Sequence, residues 1–126
     1  MRPLMLALVL AGCATTSDSV AREEAALAAE LQGYGAGEPQ SCIPVHTGQS
    51  LQIVSADTLV LRTGGVIWVN RLEADCPGLR PLNQLIVEPS LSGRYCRNDR
   101  IRSLEPGSTI SGAICPLGNF TPYRRR

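Results

Sequence analysis

This sequence contains no lysine, because all twelve of its basic residues are arginine, and it contains one histidine, His46. The absence of lysine excludes catalysis by a side-chain amine. The sequence also has no Gly-x-Ser-x-Gly motif, so it offers no serine nucleophile for which His46 would act as the base. No glycine-rich phosphate-binding loop precedes a helical segment. We therefore predict a protein that is not an enzyme and that carries no cofactor.

Acidic residues leave one catalytic alternative open, a small hydrolase that uses two carboxylates as general acid and base. The candidate carboxylates all lie next to predicted turns or strand ends, where solvated acidic side chains are common. They are Asp57, Glu73, Asp75, Glu88, Asp99 and Glu105. Because this placement is typical of ordinary surface residues, the hydrolase is only the third choice of function.

Long apolar runs are also missing. A membrane-spanning helix needs about 20 apolar residues, and no segment of this sequence is that long. Instead, Arg2 precedes a short apolar run at 4–10, and Leu10-Ala11-Gly12-Cys13 follows it. This arrangement resembles a bacterial lipobox, where a signal peptide is cut immediately before a lipidated cysteine. We predict a signal peptide over 1–12 and a lipid anchor on Cys13 that attaches the protein to a membrane.

The residue after the lipobox cysteine is Ala14. In Gram-negative lipoproteins an aspartate at this place signals retention in the inner membrane, so Ala14 favours the outer membrane, facing the periplasm. The formal net charge of +1 at pH 7 gives little electrostatic attraction for nucleic acid. We expect a cell-envelope protein whose partners are the membrane and an envelope protein or glycan, and not nucleic acid.

Aromatic residues are scarce, with one Trp, one Phe and three Tyr, and this predicts a small hydrophobic core. The four cysteines that follow Cys13 offer a second source of stability, since an even number in an exported protein indicates disulfides. They are Cys42, Cys76, Cys96 and Cys115. Of the three pairings, we favour the nested one, Cys76–Cys96 with Cys42–Cys115. In the chain-entropy model each bond contributes roughly 3 to 4.5 kcal/mol.

Metal binding is the alternative use of these cysteines. Cys42 and His46 are separated by three residues, a spacing that occurs in zinc sites. However, the sequence has no Cys-x-x-Cys pair, and His46 is its only imidazole. An oxidising compartment further favours disulfides, so we predict that no metal is bound.

The segment before the first of these four cysteines predicts a helix. Residues 19–32 are rich in alanine and leucine, Ser19 or Asp18 can cap the first turn, and Gly33 can end the helix. The apolar stripe of this helix is narrow. We therefore interpret 13–40 as a lipidated N-terminus, a helical stalk and a glycine-rich joint at 33–39 that hold the domain off the bilayer. Weak docking or self-association of the helix stays open.

From Cys42 onward, short β-like runs alternate with turn residues. The predicted strands are 51–54, 58–62, 66–72, 85–88, 99–104 and 108–114. Thr63-Gly64-Gly65 predicts a hairpin, and apolar residues on both sides of Trp68 predict a central strand. The fold class is therefore mainly β, a small antiparallel barrel or sandwich of about six strands over 41–123, with a basic tail at 124–126.

Four motifs of this region together resemble a family of small exported bacterial proteins, many of them lipoproteins, whose domain has no established function. The motifs are Cys42-Ile43-Pro44, Cys76-Pro77-Gly78-Leu79, Ser90-Leu91-Ser92 leading to Cys96-Arg97-Asn98-Asp99, and Cys115-Pro116-Leu117-Gly118-Asn119-Phe120. The resemblance covers about 41–122 and implies a fold but no catalytic residues. It also implies glycine at the place of Asn98, and asparagine tolerates the same left-handed backbone.

Arginines cluster between residues 94 and 102, where Arg97, Arg100 and Arg102 form a candidate anion-binding group. Guanidinium groups bind phosphates of lipids or other envelope anions through paired hydrogen bonds. The alternative is a solvated outer strand face, with the basic tail at 124–126 as a frayed terminus.

Ser92-Gly93-Arg94-Tyr95 bears a second resemblance, to the periplasmic lysozyme inhibitors, whose binding loop carries Ser-Gly-x-x-Tyr. Here the spacing is one residue short, which moves the tyrosine to the other face of a strand. The sequence thus predicts a lipid-anchored, non-catalytic binding or assembly module of the cell envelope, and an inhibitor of an envelope hydrolase is the alternative.

Overall fold

The computed structural model describes the backbone of residues 16–126 and the side chains from Asp18 onward, so Cys13 and the lipobox lie outside the described residues. One helix and ten strands make up the described chain. They are α1 (Thr16–Glu30), β1 (Tyr34–Ala36), β2 (Cys42–Pro44), β3 (Gln52–Ser55), β4 (Thr58–Thr63), β5 (Val66–Arg71), β6 (Gln84–Glu88), β7 (Arg94–Cys96), β8 (Arg100–Leu104), β9 (Cys115–Pro116) and β10 (Phe120–Arg125).

The strands form three antiparallel sheets. A five-stranded sheet in the order β1-β10-β5-β4-β3, called here the central sheet, is faced by a pair, β2-β7, and by a triplet, β6-β8-β9. The two smaller sheets together are called here the disulfide layer. The mainly β, sandwich-like prediction is confirmed for the described chain, although it has ten strands rather than about six.

Two hairpins build the centre of the sheet as the sequence predicts. Thr63 pairs with Val66 around Gly64-Gly65, and Ser55 pairs with Thr58 around Ala56-Asp57. The strand that carries Trp68 lies between β10 and β4, so its predicted central position is confirmed. Because side chains alternate along a strand, the apolar residues of β4 and β5 supply a core on each side of the sheet.

The first core lies between the central sheet and the disulfide layer. Leu59, Leu61 and Phe120 from the central sheet are fully buried there. Ile43 from β2 and Ile101 from β8 contact them from the opposite layer and are also fully buried. This core therefore joins all three sheets.

The second core lies on the opposite face of the central sheet, beneath α1. Leu27 of the helix is 5 % exposed and packs with Val54, Val60, Ile67 and Val69 of the strands. The predicted free stalk is therefore wrong, and the docked alternative is what the structure shows. The apolar stripe of α1 is narrow, but it faces a sheet whose second side would otherwise expose four aliphatic residues to water.

The C-terminal end of the helix is also fixed to the sheet. Both carboxylate oxygens of Glu30 accept hydrogen bonds from Arg62, at 2.8 Å from Nε and 2.7 Å from Nη2. These contacts lower the pKa of the Glu30 carboxyl below its ordinary value. The helix ends here, and Gly33 adopts a positive φ of 79° in the turn that leads to β1.

Part of the predicted glycine joint and most of the predicted basic tail are β-strand. Tyr34 pairs with Arg125 and Gly35 with Arg124, so β1 is the edge strand of the central sheet and β10 lies inside it. Pro122 lies inside β10, where its carbonyl accepts a hydrogen bond from the Gly37 amide at 2.7 Å. The N–H and C=O of a strand residue point to the same side, so the missing amide faces β1, and the ladder with β5 loses no hydrogen bond.

The four cysteines form two disulfides as predicted, but the nested pairing is wrong. Cys42 bonds to Cys96, and Cys76 bonds to Cys115, so the two closed loops overlap. The pairing of β2 with β7 places Cys42 directly opposite Cys96, with their Cα atoms 4.0 Å apart. The second bond ties the loop after β5 to β9.

The predicted strand at 108–114 is also wrong. Only a single bridge, between Leu104 and Ser111, interrupts an otherwise irregular segment. Ser108 closes a turn by donating its amide to the Glu105 carbonyl at 3.0 Å. Ile110 is 82 % exposed, so no apolar neighbour holds this segment in an extended ladder.

Candidate functional site

The three arginines of the candidate anion-binding group are each paired with a carboxylate of this chain. Arg97 forms an ion pair with Glu73, whereas Arg100 and Arg102 both contact Glu88, at 3.4 and 2.8 Å. Glu88 lies opposite Arg100 in the β6–β8 ladder, which explains the contact. A guanidinium that already binds a carboxylate attracts an external anion less strongly, so the geometry does not favour an anion site here.

Two of the candidate catalytic carboxylates serve the fold. Asp99 is 3 % exposed, and it accepts hydrogen bonds from the Ser90 hydroxyl and amide and from the Cys96 amide. Asp57 accepts hydrogen bonds from the hydroxyls of Ser55 and Thr58, and these lower the pKa of its carboxyl. Both therefore close turns next to strands.

The other carboxylates are distributed around the surface. Glu73 and Glu88 pair with arginines as described, and Glu105 pairs with Arg80 at 3.1 Å. Asp75 is exposed and lines a cleft described below. The fold thus commits five of the six candidate carboxylates to contacts with the chain itself.

His46 lies in an exposed turn, away from a catalytic setting. Its amide donates to the Gln49 side-chain oxygen at 3.1 Å, and its carbonyl accepts from the Gln49 amide. The sulfur of Cys42 is bonded to Cys96, so the spacing between Cys42 and His46 offers no thiolate ligand. Across residues 16–126, no three His, Cys, Asp or Glu residues are grouped in a way that holds a metal ion.

The segment that resembles an inhibitor loop belongs largely to a strand. Gly93 adopts a positive φ of 73° in the turn, and β7 begins at the next residue. Tyr95 pairs with Ile43 across the β2–β7 ladder and packs against the first core. A tyrosine in this position is not presented on an exposed loop.

An open cleft of about 460 Å³ lies between the first half of α1 and the loop that follows β5. The helix contributes Val20 and Glu24, and the loop contributes residues 75–80. Cys76 and Leu79 are buried at 1 % and 3 % exposure and form the fixed part of the loop. We call this feature the helix cleft.

Local interactions explain why the loop keeps this shape. The disulfide to Cys115 fixes Cys76, whose amide also donates to the Ala56 carbonyl at 2.8 Å. Pro77 cannot join a ladder, and Gly78 adopts a φ of +88°, a conformation that suits glycine. One wall of the cleft is thus rigid, and the other is the docked helix.

The chemistry of the helix cleft suits binding. Glu24 and Asp75 place carboxylates on its two walls, and Arg80 lies at one end. The volume lies within the range of small-ligand sites, about 300–1,000 Å³. The arrangement can therefore hold an apolar group beside a cation or a hydrogen-bond donor.

Beyond Arg80, the surface continues into two further depressions. One is bounded by Ser19, Leu82 and Glu105, and the other by Glu105 and Ile110. Leu82 and Ile110 are each 82 % exposed. We call this feature the Leu82–Ile110 rim, formed by Arg80, Leu82, Asn83, Glu105 and Ile110.

Sequence reasoning missed both features. The helix cleft joins residues near position 20 to residues near position 76, which only docking of the helix brings together. The rim did carry a signal, since Leu82 and Ile110 are large aliphatic residues inside turn-rich segments. Such residues have no strand or helix face on which to be buried.

Comparison of this chain with protein-family models, with curated protein sequences and with solved structures finds no match. Within the described part of the chain, no helix has the length and apolar character needed to cross a membrane. The family resemblance of the four cysteine motifs therefore stays a prediction.

Proposed function

We propose that this protein is a lipid-anchored lipoprotein of the cell envelope whose β domain is a non-catalytic binding or assembly module. The observation that carries the proposal is the combination of a lipobox, Leu10-Ala11-Gly12-Cys13, with a domain closed by two disulfides. Structural disulfides persist in oxidising compartments, which is where a lipobox directs a protein. The two features are independent and agree on an extracytoplasmic location.

The anchor in this proposal is the acylated Cys13, exposed as the first residue after cleavage. Each buried methylene contributes about 0.8 kcal/mol, so two or three acyl chains hold the protein on a membrane. Ala14 directs the protein to the outer membrane of a Gram-negative cell, where it faces the periplasm.

The helix cleft is the proposed binding site. Its acidic walls, Glu24 and Asp75, favour a cationic or hydroxyl-bearing ligand, such as a basic segment of an envelope protein or an envelope glycan. The non-catalytic part of the proposal is supported by the candidate carboxylates, most of which form hydrogen bonds or ion pairs within the chain.

The anchor is tested by labelling growing cells with a tagged fatty acid and by measuring the mass of the N-terminal peptide. The mature chain should begin at an acylated Cys13, and the Cys13→Ser variant should lose both the label and the cleavage. An Ala14→Asp variant, a control that keeps the lipobox, should stay labelled but fractionate with the inner membrane. Normal labelling of Cys13→Ser would refute the anchor.

The binding role is tested by cross-linking in intact cells. The double variant Glu24→Gln with Asp75→Asn should lose its cross-linked partner, because both wall charges are removed. Glu38→Gln, at an exposed position outside the cleft, is the matched control and should keep the partner. Equal cross-linking of both variants would remove the cleft as the binding site.

A further inference from the structure

The docking of α1 determines which end of the domain lies near the proposed anchor. The helix begins at Thr16, three residues after Cys13. An extended chain spans at most about 3.3–3.6 Å per residue, so the start of the helix lies within about 10 Å of the anchored residue. The domain end that carries the start of α1 is therefore the end nearest the membrane.

The helix supplies little additional reach, because its C-terminal half is fixed to the sheet and the helix is continuous from Thr16. Leu27 is buried in the second core, and Glu30 binds Arg62 through two hydrogen bonds. The tether that sequence reasoning placed over 13–40 is thus reduced to the few residues before Thr16.

The Leu82–Ile110 rim lies at this same end of the domain. Ser19, in the first turns of α1, borders the same depression as Leu82 and Glu105. Leu82 lies in a turn closed by the Asn83 amide and the Arg80 carbonyl, at 3.0 Å, and Ile110 follows the turn at Glu105. Both aliphatic side chains project from loops into solvent.

We propose that the Leu82–Ile110 rim contacts the lipid bilayer, with the side chains of Leu82 and Ile110 inserted at the boundary between headgroups and acyl chains. This proposal rests on the proposed lipidation of Cys13. The headgroup region is about 5–8 Å thick on each side of a bilayer. Because the start of α1 lies within about 10 Å of the anchored residue and Ser19 borders the rim, this end of the domain lies against the headgroups. Apolar residues at this boundary bury to a depth of about 5–10 Å.

Charge complementarity favours a lipid surface rather than a charged partner. Arg80 and Glu105 are the charged residues of the rim, and they form an ion pair with each other at 3.1 Å. The rim therefore combines two exposed aliphatic side chains with a neutralised charge pair. Its contact with lipid should not require anionic headgroups.

The test places a tryptophan in the rim of the mature lipoprotein, reconstituted in phosphatidylcholine vesicles that contain brominated lipids. Bromine quenches tryptophan only within the bilayer. Leu82→Trp is the rim variant, and Leu91→Trp is the matched control, because Leu91 is 51 % exposed and follows the opposite end of β6. The wild-type protein, with Trp68 alone, gives the background emission.

We expect lipids brominated at shallow positions to quench the emission of Leu82→Trp. They should quench the emission of Leu91→Trp by no larger fraction than that of the wild-type protein. Equal quenching at both positions, or none at Leu82→Trp while the protein floats with the vesicles, would overturn the proposal. A blue-shifted but unquenched Leu82→Trp would also overturn it, since another protein would then cover the rim. Failure of the wild-type protein to float with the vesicles would instead refute the anchor.

Discussion

The two faces of the central sheet are covered in different ways. The disulfide layer covers one face with five strands, two disulfides and a core in which Ile43 and Phe120 are fully buried. On the other face, α1 contributes one buried side chain, Leu27, and one ion pair, Glu30 with Arg62. Covalent closure and dense packing thus hold one layer, whereas noncovalent contacts of a single helix hold the other.

This difference has a functional consequence, because the helix cleft lies where the two kinds of layer meet. One wall is the loop tied by Cys76–Cys115, and the other is α1. A rigid wall beside a more easily displaced wall suits a module that adapts to a ligand. The weaker layer also connects the domain to the proposed anchor.

Removing the Cys76–Cys115 disulfide should lower stability more than any single side-chain truncation. The bond closes a loop with a sequence separation of 39 residues. In the chain-entropy model, its loss lowers the free energy of unfolding by about 4 kcal/mol. Urea denaturation of the Cys76→Ala, Cys115→Ala double variant measures the change. If this loss were smaller than that of Leu27→Ala, the disulfide layer would not be the more strongly held of the two layers.

Truncation of Leu27 should be the next largest change and should act locally. Leu27→Ala creates a cavity beneath α1, with a cost of about 3 kcal/mol. Amide exchange of α1 should increase, while that of β4 and β5 changes little. Leu82→Ala is the matched control, and it should leave stability unchanged because Leu82 is largely exposed. Uniform acceleration of exchange in helix and sheet would show that the two layers unfold together.

Asn98 tests the backbone of the disulfide layer. Its φ of 70° lies in the left-handed region, and its amide donates to the Leu117 carbonyl at 2.9 Å. Asn98→Ala should lower the free energy of unfolding by about 1 kcal/mol, since alanine disfavours the left-handed conformation. Asn98→Gly is the paired control and should equal or exceed the wild type in thermal denaturation. A stable alanine variant with a weakened glycine variant would contradict this account.

The Glu30–Arg62 pair should have the smallest effect, because the two side chains are 35 % and 43 % exposed. Exposed pairs contribute about 0.2–1 kcal/mol. Arg62 lowers the pKa of Glu30, so this stabilisation is present above the ordinary carboxyl value of 4.5 and is lost as pH falls through the lower folded-state pKa.

Unfolding free energy measured against pH for the wild type and for Glu30→Gln tests that sign. The difference between them should shrink as pH falls below 4.5. Glu38→Gln is the control, since Glu38 is exposed and is not one of the carboxylates that act on Arg62. A difference that grows at acidic pH would mean that the pair does not favour the folded state.

The parts of the fold with clear periodicity were predictable from the sequence. Alternating apolar residues and the turns at Ala56-Asp57 and Gly64-Gly65 predicted β3, β4 and β5 in their correct order. By contrast, β10 was not predicted, because Pro122 and the terminal arginines are atypical of a strand inside a sheet. Pro122 is tolerated there because its missing amide faces β1, so the ladder between β10 and β5 stays complete.

Long-range pairing was harder to predict for a physical reason. The cysteine positions indicate disulfides, but only the ladder between β2 and β7 brings Cys42 opposite Cys96. Likewise, the stripe of α1 indicates a weakly amphipathic helix, and its docking depends on the second apolar face of the central sheet. The helix cleft depends on the docking of α1 and on the Cys76–Cys115 bond in the opposite wall, so neither wall identifies it alone.

The docked helix is the central claim, since the cleft and the orientation toward the membrane depend on it. Amide hydrogen exchange of residues 20–30, measured on the protein reconstituted with vesicles, tests it most directly. An isolated helix of this length is marginal in water, so strong protection reports docking. We predict exchange slower than in an unstructured chain by on the order of 100-fold, the factor that corresponds to about 3 kcal/mol. Exchange of this helix at nearly the unstructured rate, with the sheet still protected, would restore the free stalk and contradict the account.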